Sequence, residues 1–157
     1  MSLCRLTYCS HAISTLNYQD LKDILEKSQK NNTPLGLTGL LCFGNGMFLQ
    51  VLEGDRKFLG HTYNRIAKDQ RHHDTEIIEF VEVDSRIFEE WSMKALDLSN
   101  YSREVVKKLS MKYSSATDFY PFQMSAKQCL DFLVELYSLM SSIASNAERE
   151  LVKKSTK

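Results

Sequence analysis

The sequence predicts an α+β fold, on three observations. Residues 3–98 change apolar period in the order β-α-β-β-α-β, with one further strand. The two central strand segments are apolar on both faces, so their sheet needs cover on both sides. Residues 102–145 carry helical apolar spacing, which supplies the second cover. The arrangement is a ferredoxin-like βαββαββ sheet, with two helices on one face and C-terminal helices covering the other.

Taken in order, residues 3–10 alternate as a strand. Cys4, Leu6 and Tyr8 share one face, and Leu3, Arg5, Thr7 and Cys9 the other. Residues 18–30 form an amphipathic helix, with Leu21, Ile24, Leu25 and Ser28 on one stripe. Asn17 is its N-cap, with Asp20 three residues on. The helix is expected to stop at Asn31-Asn32, ahead of Thr33-Pro34 and Gly36. Residues 36–43 and 47–53 read as a hairpin, because Asn45-Gly46 suits a type I′ turn with positive φ at both positions. Leu41 and Phe43 oppose Leu40 and Cys42 across its first strand; Phe48, Gln50 and Leu52 oppose Met47, Leu49 and Val51 across its second.

A second helix spans residues 56–69 on the stripe Phe58, Leu59, Thr62, Tyr63 and Ile66. Strands follow at 75–83 and 91–98. One helix is expected over 102–113. A longer one begins at Ser125, its N-cap, with Gln128 at the capping-box position and Ala126, Cys129, Leu130, Leu133, Tyr137, Met140 and Ala144 at helical spacing. Beyond Ser145 the chain turns polar and is expected to fray.

Composition narrows the function. The chain has 157 residues, 43% of them apolar, which is one domain with a real core. Twenty acids balance twenty bases, which argues against a protein that lives on nucleic-acid phosphates or an anionic membrane. With six Gly and two Pro, the chain is neither disordered nor collagen-like. No apolar run nears the roughly 18 residues of a membrane span, and the start MSLCRLTYCS has no secretory pattern, so a cytoplasmic protein is expected. Cys4, Cys9, Cys42 and Cys129 form no CxxC and read as reduced, buried thiols.

Few residues invite chemistry. Gln50 lies mid-strand between Phe48 and Leu52, and Tyr8 puts a phenol on the face of Cys4 and Leu6. Buried polar groups need partners, so the two either bond to each other or line a polar ligand site between helices and sheet. On these two residues alone the mutual pair is favoured. Spacing alone favours a cap and turn at Asn31-Asn32; the alternative turns one amide under the helix, since residue 32 follows Ser28 by four. Arg65 and Asp69 read as a solvated i, i+4 ion pair beside Ile66, or as the rim of a cleft. His72-His73 makes a poor chelate, because adjacent side chains diverge and no Cys or carboxylate completes a set; no metal is expected. Trp91 and Met93 share a strand face and read as core packing. There is no GxSxG, P-loop, GxGxxG or HExxH motif.

Together these residues resemble the BLUF family, blue-light sensors that use flavin. The matching segments are RLTY at 5–8, LKDILEKSQKNN at 21–32, GLTGLLCFGNGMFLQVLEGD at 36–55, YNRIAKDQRH at 63–72 and WSM at 91–93. They run in order over about residues 2–98. KLSMKY at 108–113 and PFQMSAKQCLDFL at 121–133 are similar to the C-terminal helices of the short, single-domain members typified by cyanobacterial phototaxis regulators. The implied organisation is a flavin-binding core at 1–98, a helical cap at 99–145 within the same domain, and a polar tail at 146–157, with no fused effector.

The resemblance implies roles residue by residue. Tyr8 matches the electron- and proton-donating tyrosine, and Gln50 the glutamine between that phenol and the flavin ring edge. Asn32 matches the asparagine that bonds the flavin carbonyl and N–H edge, and Asn31 its neighbour facing the cofactor. Ile24 and Ile66 match the apolar pair that sandwiches the ring. Ser28, Arg65 and Asp69 match polar contacts, as do Arg71 and His72. Trp91 and Met93 match the last-strand pair whose exchange of position is disputed. The implied mechanism passes an electron and a proton from Tyr8 to the excited flavin and returns Gln50 rotated or tautomerised, which red-shifts the flavin.

The implied cofactor is FAD first, with FMN or riboflavin as alternatives. The implied protein is a photoreceptor and not an enzyme. It signals to a downstream protein, response-regulator-like, or through its own homo-oligomer, with neither nucleic acid nor membrane as partner. Three rival readings remain beside it. An RRM-like RNA-binding module has the same βαββαβ order but needs a solvated sheet face in a basic surround. A light-independent flavin-binding protein would use the slot without the switch, and a flavin enzyme would need a substrate slot and a base that the sequence does not offer.

Overall fold

Among the described residues, five strands form one sheet: β1 (Leu3–Ala12), β2 (Thr38–Gly44), β3 (Met47–Asp55), β4 (His72–Glu82) and β5 (Lys94–Asp97). The structure is a computed structural model that describes residues 2–89 and 92–155, with the backbone alone at 143–147. The strand order is β4-β1-β3-β2-β5. β1 pairs antiparallel with β3 and β4, and β3 with β2, while β5 lies parallel to β2. Four helices, α1 (Tyr18–Leu35), α2 (Arg56–Ala67), α3 (Arg103–Ser114) and α4 (Ala126–Ser155), pack on the two faces. This is the ferredoxin-like arrangement, widened by one parallel strand.

Strand parity sorts the core as the alternation requires. On one face Cys4, Leu41, Phe48 and Leu52 meet Leu21 of α1 and Leu59 of α2. On the other, Leu40, Cys42, Leu49 and Val51 meet Leu109 of α3 and the α4 stripe Cys129, Phe132, Leu133 and Leu136. A sheet apolar on both sides is thereby covered on both. That cover also removes the solvated sheet face on which an RRM-like reading depends.

Several local devices follow the sequence closely. Asn17 and Asp20 form a reciprocal capping box at the start of α1. Asn45 and Gly46, at φ 51° and 71°, make the two-residue β2–β3 turn. Ser102 caps α3. Ser125 and Gln128 exchange bonds of 3.1 and 2.9 Å ahead of α4.

Several expected boundaries differ. α1 continues past Asn31-Asn32 to Leu35, with Pro34 inside its last turn. There a proline loses only one intrahelical bond, and the chain closes at Gly36 in the left-handed region at φ 65°. The Leu37 N–H donates to the Asn32 carbonyl (3.0 Å) and the Gly36 N–H to Thr33 (3.2 Å), so Asn32 lies within the helix and is not its cap. β4 begins at His72, because the β1 ladder extends to Ala12 and pairs it there. β5 begins at Lys94, after Met93, and Leu98–Asn100 turns into a 3-10 helix. Trp91 lies outside the described residues. α4 runs on to Ser155 where fraying was expected, since its Glu, Arg, Leu and Lys are good helix formers however polar the segment.

Candidate functional site

A cleft of about 210 Å³ opens between α1, α2 and the sheet. From α1 it receives Ile24, Ser28, Asn31 and Asn32, which share one helix face at i, i+4, i+7 and i+8. From α2, the turn after it and the first residue of β4 come Arg65, Ile66, Asp69, Arg71 and His72. Tyr8 and Gln50 form its floor on β1 and β3. All the residues singled out from sequence, Trp91 and Met93 apart, therefore line one cleft.

Four further lining residues were not anticipated. Leu41 and Phe48 share strand parity with Gln50, so alternation could have found them. Thr62 belongs to the α2 apolar stripe, and Lys27 stands one position off the α1 stripe, with no signal pointing to it.

Tyr8 and Gln50 are direct partners in the β1–β3 register. Both side chains are buried, and the phenol donates a short hydrogen bond to Gln50 Oε1. The amide orientation is thereby set: Gln50 Nε2 points the other way and donates to Met93 Sδ at 3.4 Å. Sulfur is a weak acceptor, so the amide N–H groups have capacity left for a better one. Burial holds the Tyr8 phenol well above the ordinary tyrosine range, with Tyr63 and Asp69 adding to the shift. The phenol is therefore a protonated donor at any physiological pH. Tyr63 meets its ring edge-on at 5.5 Å.

The walls are fixed by their own bonds. Asn32 is buried, and its Nδ2 donates to the Ser92 carbonyl at 2.8 Å, while Gln29 Nε2 donates to the Met93 carbonyl at 3.1 Å. His72 Nε2 lies 2.6 Å from the Ile66 carbonyl, which can only accept, so that nitrogen carries the proton and Nδ1 accepts from the Ser10 hydroxyl at 2.8 Å.

At the mouth, Arg71 bonds Asp69 through Nε and Nη2 and reaches Asp23 of α1 through Nη1 at 2.8 Å. Its guanidinium holds the Asp69 carboxyl below the usual carboxylate range. Of the two readings of Arg65 and Asp69, the structure gives the rim of the cleft, and Asp69 pairs with Arg71 where the i, i+4 reading had Arg65. The reason is that α2 ends at Ala67, which leaves residue 69 off the helix and without i, i+4 geometry.

Other chemistry finds little support. Among the described residues no group of three His, Cys, Asp or Glu could hold a metal, and His73 turns out toward Asp74. All four cysteines are free and buried, and burial pushes the Cys9 and Cys129 thiols up to about 12, which makes them poor nucleophiles.

Two polar groups ask for a ligand. Thr62 Oγ1 is buried in the cleft wall without a hydrogen-bond partner among the described residues, and the Gln50 amide spends an N–H on a sulfur. Ile24 and Ile66 give the cleft apolar walls between these polar groups. A flat group with hydrogen-bonding edges fits that lining. The architecture is a domain whose cleft between two helices would fit a planar cofactor beside a phenol and an amide.

Comparison with known proteins makes the class specific. A family model for BLUF, sensors of blue-light using FAD, matches residues 3–94. The chain belongs to the BLUF family and is a blue-light sensor of the flavin-using kind. The photoactivated adenylate cyclase subunit beta of Euglena longa is 28% identical over 126 residues, 76% of this chain and 15% of that protein. The chain thus spans a small part of the curated relatives it matches. Among solved structures, the photo-activated state of BlsA aligns with a TM-score of 0.76 at 28% identity, covering 85% of this chain and 94% of that one. Klebsiella pneumoniae BlrP1 with FMN and cyclic diGMP aligns at 0.61 and 31% identity, covering 65% and 27%. Among the described residues no helix is long and apolar enough to cross a membrane.

Proposed function

We propose that the chain detects blue light with a flavin held in the α1–α2 cleft, switches through Tyr8 and Gln50, and passes the signal to a separate protein. The observation that carries this reading is the buried Tyr8–Gln50 hydrogen bond at the cleft floor, with the amide N–H resting on Met93 Sδ. Asn31 and Asn32 would hold the polar edge of the flavin, and Ile24 and Ile66 its faces. Ser28, Arg65, Asp69, Arg71 and His72 would take the polar substituents toward the mouth. FAD is the first candidate, with FMN and riboflavin as alternatives.

A bound flavin supplies the blue absorption and the electron-accepting power. With a flavin bound, Tyr8 would supply the electron and, by way of its bond to Gln50 Oε1, the proton that the flavin accepts. Gln50 is bonded on one side to a phenol and on the other to a sulfur; once that phenol ceases to donate, its Oε1 is buried without a donor, which drives the amide to turn or tautomerise. Asn32 and Gln29 hold the Ser92 and Met93 carbonyls, so a change at Gln50 meets the start of β5 directly. Met93 is the element of the Trp91–Met93 pair that this reading relies on.

A response-regulator-like partner or a change in homo-oligomer is the output we favour, with no catalysis by this chain. Reconstitution with FAD, FMN and riboflavin tests the reading: a yellow protein whose colour depends on Asn32 supports it. A folded preparation that stays colourless in excess of all three overturns it.

A further inference from the structure

The described parts of the connection from β4 to β5, residues 83–89 and 92–93, reach both faces of the sheet whose two edge strands they link. The connection begins against the face covered by α3 and α4, where Phe88 is buried in that core. It ends on the cleft face, where Met93 is buried beside Gln50.

The two ends of this strap are tied differently. At the cleft end the ties are neutral amide bonds from Asn32 and Gln29 to the Ser92 and Met93 carbonyls. At the other end is Glu53, a carboxylate with 0% exposure. It accepts from Arg5 Nε and Nη2 at 3.1 and 3.0 Å, from the Ile87 N–H at 2.9 Å and from the Phe88 N–H at 2.7 Å. Arg86 Nη1 adds bonds to Thr38 Oγ1 and to the Glu53 carbonyl. Hydrogen bonds to an ionised acceptor are roughly twice as strong as neutral ones. The strap therefore has a firm end and a soft end, and the soft end carries the sulfur that Gln50 touches.

Glu53 has no part in the light chemistry. It shares strand parity with Val51, on the face opposite Gln50 and Leu52. We propose that Glu53 is a positioning residue for the Gln50 switch: by fixing residues 86–88 it sets the reach of the strap that lays Met93 Sδ on the Gln50 amide. This rests on the flavin-switch reading above. Burying an Arg–Glu pair could equally be a fold anchor and nothing more, so the test needs a readout that stability alone does not move.

The experiment uses the flavin-loaded full chain with Glu53→Gln and, separately, Arg86→Leu. Flavin content, melting temperature, size of the light-induced shift and rate of dark recovery are measured for each. Both variants are expected to keep the flavin and the shift but to recover at least about threefold more slowly, because return requires the strap to bring Met93 back onto the amide. In a Met93→Ala background the same substitutions should change the rate by less than that, since the strap then carries no sulfur to deliver. Recovery that is faster, or slowed by less than about threefold, in both variants overturns the proposal whatever the melting temperature, as does equal slowing in the Met93→Ala background. If Glu53→Gln does not fold, Arg86→Leu decides alone. A parent protein that binds flavin and shows no shift at all would instead overturn the switch reading, and the two failures are distinguishable.

Discussion

Tyr8 and Gln50 face each other across the β1–β3 ladder, and the phenol donates to the amide oxygen from within the same buried cleft floor. The relationship fixes which end of the amide is free, and the predictions start from it.

Tyr8→Phe removes the donor and the oxidisable group while keeping the ring. The variant should bind flavin and show no light-induced red shift. It leaves Gln50 Oε1 buried without its donor, which costs about 1–3 kcal/mol of stability. Absorbance under blue light and chemical denaturation check the two parts, and a normal photocycle would reject Tyr8 as donor.

Gln50→Leu should also retain flavin, because the walls of the cleft are untouched, and should likewise fail to shift. A shift of normal size in this variant would assign the switching role elsewhere.

Arg65→Ala should weaken flavin retention and leave the photochemistry of the bound fraction unchanged. Arg65 lines the mouth of the cleft, away from the Tyr8–Gln50 floor. Equilibrium dialysis measures the first and a flash spectrum of the loaded protein the second; unaltered retention would remove Arg65 from the binding residues.

Alkaline pH should destabilise the fold through its buried thiols. Burial raises the folded-state values of Cys9 and Cys129 to about 12 and that of Cys42 as well. Their contribution is fully present below the unfolded thiol value of about 8.5 and is lost as pH rises toward the folded values, because the unfolded chain ionises first. Melting temperature should therefore fall above about pH 8.5, and less steeply in Cys129→Ala than in the parent. Equal slopes would show that these thiols do not carry the dependence.

Much of the cleft was legible in the sequence because it depends on two periods. Alternation put Tyr8 on one strand face and Gln50 on another, and both turned out to face the cleft. The spacing of Ile24 and Ser28 put two side chains on one helical face, whereas Asn32 was placed in the cleft by the family resemblance, since spacing alone favoured a cap there. What escaped depended on longer-range or end effects. Pro34 suggested an early stop for α1, yet a proline in the last turn is tolerated when a left-handed glycine follows. The pairing of Asp69 with Arg71 follows from where α2 ends, which periodicity fixes poorly. Glu53 left a visible signal, a carboxylate in register with Leu49 and Val51, but its partners in residues 86–88 come from a loop with no period to place them.

The central claim, that a flavin in this cleft is switched by Tyr8 and Gln50, is tested most directly by the absorption spectrum of the flavin-loaded protein before, during and after blue light. The account predicts a red shift that appears on illumination and reverses fully in the dark. A tightly bound flavin whose spectrum is the same in light and dark would contradict it.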